Sequence, residues 1–136
     1  MAVTNTYADV EHVQPYVTPY GLTIGSTSKP TTTQVEGFLD QTAAEVDAVL
    51  SARGYGTVPA TDTTDILFLR LHVSMYAAVL TYAAGFGSDN MPDGIMEMKE
   101  HYNSFLQRLI DGDLTLPGQS YVKRPGVVLP QRYYTD

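Results

Sequence analysis

Apolar residues recur at helical spacing along three stretches of this chain. In the first, Val35, Phe38, Leu39, Ala43, Val46, Val49 and Leu50 stand at offsets of 0, 3, 4, 8, 11, 14 and 15, which is one stripe of an α-helix. Asp40, Glu45 and Asp47 lie off that stripe. Thr33-Gln34-Val35-Glu36 has the form of a capping box at its start, and Gly54 is the predicted stop. In the last stretch, Ile95, Met98, Tyr102, Phe105, Leu106, Leu109 and Ile110 repeat the pattern at 0, 3, 7, 10, 11, 14 and 15, ending at Gly112. Its start is predicted at Asp89 or Asn90, with Pro92 in the first turn. Between them, residues 66–84 are apolar on nearly every side. A helix apolar all round must be covered on several faces, so this one is predicted to be central. Asp62 and the threonines around it are candidate caps, and Ala77, Ala78, Ala83 and Ala84 allow close approach of a neighbour.

The flanks read differently. A short helix is predicted from Tyr7, stopped by Pro15 and Pro19. Residues 17–32 are rich in Thr, Ser, Gly and Pro and are predicted to be a long loop. Beyond Leu116-Pro117-Gly118 the chain is punctuated by Pro125 and Pro130, and short runs such as Val127-Val128-Leu129 are predicted to be extended. The expected fold is therefore all-α. A small bundle of three long helices and a short N-terminal one occupies residues 1–118, and an extended C-terminal arm occupies 119–136.

Charge divides the chain at the same place. Residues 1–118 carry five basic and fourteen acidic side chains, a net of −9, whereas 119–136 carry Lys123, Arg124 and Arg132 against Asp136, a net of +2. The acidic body argues against wrapping nucleic acid, which needs clustered Lys and Arg. A basic arm on an acidic body either steers association or is a solvated tail, and charge alone does not separate the two. With no cysteine, disulfides and thiolate chemistry are excluded. The first residues lack the basic and apolar regions of a signal peptide. The apolar run 66–86 is interrupted by Arg70 and His72, which are costly in lipid, so it reads as a buried helix and not a membrane span.

The search for chemistry returns little. His12, His72 and His101 lie on three predicted elements without metal-ligand spacing, and His72 is expected to be a hydrogen-bonded core histidine. Asp89, Asp93, Gly94 and Glu100 match positions 1, 5, 6 and 12 of a calcium loop, but Met91 at position 3 offers no oxygen ligand. Glu97 and Glu100 are expected on a solvated helix face. No nucleotide-binding or hydrolase motif is present. No cofactor or metal and no catalytic residue is therefore expected. Ten tyrosines without a tryptophan are more telling. Tyr7, Tyr16, Tyr20, Tyr55 and Tyr121 fall in or beside loops and tails, and Tyr133-Tyr134 closes the arm. Tyrosine joins apolar area to a hydrogen-bonding tip, which suits interfaces. The expected partner-binding residues are Tyr121, Lys123, Arg124, Arg132, Tyr133 and Tyr134.

Two stretches carry a resemblance. A helix ends Glu45-Val-Asp-Ala-Val-Leu-Ser-Ala-Arg-Gly-Tyr55 with Val58-Pro59 after it, and a helix rich in Ala and Tyr follows. The last helix runs from Met98 through Tyr102, Leu109 and Ile110 to Gly112 and Leu116. Together they resemble the head–tail connector (adaptor) proteins of tailed bacteriophages, over about two thirds of the chain. Residues 17–32 are longer than that family's usual link, and the arm matches no family motif. The resemblance implies a structural virion protein and not an enzyme, a connector domain at 1–118 whose copies form a closed ring, commonly of twelve subunits. It implies a place in the virion neck, reached from the host cytoplasm during assembly. The partners it implies are the portal and the next neck or tail-completion protein, with DNA passing through the channel unread and no membrane involved. A helical protein-binding or regulatory module working as a dimer is the alternative reading of the same pattern.

Overall fold

The computed structural model describes residues 4–119, and among them all regular structure is helical. Helix α1 spans Val10–Val17 and is followed by a single 3₁₀ turn, Thr18–Tyr20. Helices α2 (Thr32–Ala52), α3 (Thr63–Phe86) and α4 (Asp93–Asp111) form the bundle. The other three helices all pack on α3, as its apolar circumference requires. By length and composition α3 is long and apolar enough to cross a membrane. Here it is the core helix: Leu69, Val73, Ala77 and Ala78 are buried, and Arg70 donates from Nε to the Tyr7 carbonyl at 2.7 Å.

The stripes face where their spacing points them, except that Ile110 at the end of the α4 stripe is exposed. Val35, Leu39, Ala43, Val46 and Leu50 of α2 are buried, as are Ile95, Tyr102, Phe105 and Leu109 of α4. Each such Leu, Ile or Val stabilises the fold by roughly 1.5–3 kcal/mol. Rings tie the layers together: Phe105 stacks on His72 at 3.9 Å and Tyr102 on Tyr76 at 4.3 Å, while the Tyr102 hydroxyl reaches Glu45 of α2 at 2.6 Å.

Three boundaries differ from expectation. Helix α2 is capped by Thr31, not Thr33: Gln34 N donates to Thr31 Oγ1 at 3.3 Å, and Thr31 N donates to Gln34 Oε1 at 2.8 Å. Gln at this position closes the box as well as Glu does, and the earlier start gains two residues of helical bonding. Helix α4 begins after Pro92 instead of at Asp89 or Asn90, because the residue before a proline, Met91, is pushed out of the α region. Helix α1 runs through Pro15 to Val17. Pro15 cannot donate to the Glu11 carbonyl, but Glu11 is exposed to water, and buried Val13 and Val17 hold the turn.

The α2 terminus follows the pattern. Gly54 takes φ 91°, Gly54 N donates to Ser51 O and Tyr55 N to Leu50 O, which is a Schellman ending with Tyr55 packed beneath it. The segment between α1 and α2 is shorter and more ordered than a 17–32 loop. Gln14 bonds both Leu22 O and Ile24 N from α1, and Ser28 bridges Gly25 and Pro30. This segment crosses α3 at Gly85, where a Cβ would stand 2.8 Å from the Lys29 carbonyl and 3.1 Å from Leu22 Cδ1. The G85A substitution should therefore destabilise the protein by about 1–3 kcal/mol although alanine is the better helix former. Urea unfolding checks this, and an unchanged or higher midpoint would show that the segment does not bear on α3.

Candidate functional site

All six expected partner-binding residues, Tyr121, Lys123, Arg124, Arg132, Tyr133 and Tyr134, lie outside the described residues. What the structure describes is the point from which their arm departs. Leu116 is buried, and its backbone N donates to the Tyr55 hydroxyl at 3.0 Å. Gly118 N donates to Asp65 Oδ1 at 2.7 Å. Gln119 and Thr57 pair both ways, Thr57 N to Gln119 Oε1 at 3.3 Å and Gln119 Nε2 to Thr57 O at 3.0 Å. A side chain at position 118 would collide with the Asp62 carboxylate, so glycine lets the backbone come this close. Asp62 is itself engaged as the N-cap of α3, accepting from Thr64 N at 2.9 Å and Asp65 N at 3.2 Å.

The N-terminal segment converges on the same helix start. Tyr7 is buried, donates to Asp47 Oδ1 of α2, and accepts from Ala60 N at 3.0 Å. Burial first, and then the Asp47 hydrogen bond, push the Tyr7 hydroxyl pKa well up. Burial also raises Asp47, with Tyr7 pulling in the opposite direction. Just outside, Asp40 accepts from Thr4 N and Asn5 N. Partial burial pushes its carboxyl up, but these and the side-chain bonds from Asn5 and Thr4 outweigh it and hold the pKa below the usual range. Tyr7 and Tyr55, although beside loops, are thus buried internal clamps. Their hydroxyls bond buried backbone and carboxylate, and no sequence spacing marks that role. Tyr16 and Tyr20 are half-buried, Tyr20 edge-on to Tyr82 at 5.8 Å.

The histidines are also rearranged. His72 of α3 and His101 of α4 line one cavity of about 150 Å³ with Phe68, Ser104, Phe105 and Arg108. His72 is not the hydrogen-bonded core histidine expected, because its buried Nδ1 has no partner among the described residues. Stacking on Phe105 holds the ring instead. Burial, and then the charge of His101, lower its pKa to about 4. His12 accepts from Asp9 N at the start of α1. Glu97 and Glu100 are exposed, and among the described residues no three His, Asp or Glu side chains gather as metal ligands. No protein-family model, characterised protein or solved structure matches this chain.

Two expectations follow. Replacing Asp65 by alanine should free the Gly118 amide, raising its hydrogen exchange, and cost about 1–3 kcal/mol of stability. Continued protection of Gly118 would contradict the clamp. For His72, the unfolded chain takes up a proton near 6.5 and the folded chain only near 4. The stability it contributes is therefore complete above pH 6.5 and is lost as pH falls toward 4. Discounted for partial solvent screening, the loss is about 1–2 kcal/mol. The H72F variant should flatten the melting temperature across that window, and an unchanged slope would exclude His72 as its source.

Proposed function

We propose that the chain is a structural subunit of the head–tail connector class of tailed phages, one that works by assembly and not by turnover. The observation that carries this is the clamped arm root. An acidic bundle fixes the backbone amides of Leu116 and Gly118 and the side-chain amide of Gln119, and a basic, proline-punctuated sequence with Tyr133 and Tyr134 follows from that defined point. An arm launched from a fixed point loses less entropy on docking than one on a loose tether, and its prolines pre-extend it. The portal is its proposed receptor, with Tyr121, Lys123, Arg124, Arg132, Tyr133 and Tyr134 as the contact residues. The net charge of −9 on residues 1–118 fits a channel wall that repels phosphate and lets DNA slide. The ring, commonly of twelve copies in the family it resembles, leaves the opposite face for the next neck protein.

Truncation after Gln119 separates folding from docking. The truncated chain should keep its helical circular dichroism and its melting temperature, because the core and the Gln119–Thr57 pair stay intact. It should lose binding to the portal in co-purification, while the full chain binds. Equal binding by both forms would sink the proposed role of the arm, and no binding by either would sink the connector reading.

A further inference from the structure

Beside its buried stripe, α4 carries a second pattern. His101, Ser104 and Arg108 fall at offsets of 0, 3 and 7, which puts them on one face of the helix. That face meets Phe68 and His72, one turn apart on α3, and together with Phe105 these residues wall the cavity of about 150 Å³. Phe105 stacks on the His72 ring and fixes its plane. Nδ1 of His72 is buried with no hydrogen-bond partner among the described residues. The side chains of His101, Ser104 and Arg108 make no hydrogen bond or ion pair with any described residue either.

The charge of this wall runs against that of the body. Three other hollows each hold a carboxylate: Asp89 and Glu100 in one, Glu11 between α1 and α3, and Glu45 beside Tyr76. Here there is none, although residues 1–118 carry a net of −9. The acids nearest in sequence, Glu97, Glu100, Asp111 and Asp113, lie outside the wall. A fixed guanidinium disfavours a metal cation. The volume is also below the roughly 300 Å³ at which sites for drug-sized ligands begin. A guanidinium fork, a hydroxyl and two imidazoles all supply N–H or O–H donors. Their complement is a compact anion with several acceptor oxygens.

We propose that this cavity between α3 and α4 binds a small tetrahedral oxyanion, a sulfate or phosphate group, held by Arg108, Ser104 and His101 at its exposed mouth and by His72 within. The site stands independently of the connector role. A bound anion offsets the repulsion between the two imidazole rings when they are charged, so binding draws protons onto them and strengthens as pH falls. The ionisable groups of the wall are His72 on α3 and His101 and Arg108 on α4, and α1 and α2 contribute none. Arg108 keeps its charge throughout, so the pH dependence belongs to the two histidines.

Sulfate is the first probe, because it stays a dianion across the whole range and any titration is the protein's own. The imidazole resonances of the full chain are followed by NMR while sulfate replaces chloride at constant ionic strength. His72 and His101 should shift together and saturate, whereas His12, in a different hollow, should not move. The affinity should rise several-fold between about pH 8 and pH 5. The R108Q and H101N variants, both at exposed positions, should keep their helical circular dichroism and bind about tenfold more weakly. Inorganic phosphate and glycerol phosphate serve as further arms: equal affinity assigns the site to the free ion and tighter binding of the ester to a phosphorylated small molecule, and either supports the proposal. A linear drift without saturation, the mark of an adventitious ion only, would overturn it. So would full affinity in both variants, or zinc shifting the two histidines where sulfate does not.

Discussion

The structure turns on a single apolar helix that its neighbours cannot fully cover. Residues 66–84 place Leu, Val, Ile, Phe, Met and Tyr on every side of α3, and water must be kept from most of that surface for the chain to fold. Helices α1, α2 and α4 do this together, and their stripes are buried because α3 is there to receive them. The described residues supply three covering helices, not the four or five that would enclose α3 along its whole length. What remains outside is confined to its two ends, Leu67 with Leu71 and Phe86.

Polar clamps solve a second problem, which is to hold the chain ends on the bundle. They gather where α3 begins. Asp62 caps the helix, Asp65 holds Gly118, Arg70 holds the Tyr7 carbonyl, and Tyr7 spans from Asp47 to Ala60. Apart from the exposed Asp62–Thr64 cap bond, these bonds lie in partly or fully buried surroundings, where an unmade hydrogen bond costs more than a made one contributes. The N-terminal segment and the arm root are therefore fixed by the same helix that organises the core. The helix start that secures the fold therefore also fixes Leu116, Gly118 and Gln119, the last described residues before the basic stretch of the sequence.

The helices were legible in the sequence because their signal is periodic and redundant. The α2 and α4 stripes each contain seven apolar positions, and the apolar breadth of α3 alone places it at the centre. Boundaries were less legible where several capping residues compete, as in Thr31-Thr32-Thr33, or where a proline acts on its predecessor, as at Met91-Pro92. The inward roles of Tyr7 and Tyr55 were not legible at all. Their partners, Asp47 and Ala60 for one and Leu116 for the other, lie some 40 to 60 residues away, and only the fold brings them together. The same holds for His72 and His101, distant in sequence and joined across the α3–α4 interface. Long-range polar pairing leaves no period to read, whereas burial does.

The proposed connector role rests on an acidic body and on a sequence that turns basic just beyond the fixed Gln119. Electron cryomicroscopy of the assembled particle tests this most directly. The account predicts a ring of this chain at the neck, with residues 120–136 against the portal. A particle without the chain at its neck, or a neck ring in which residues 120–136 make no contact with the portal, would contradict it.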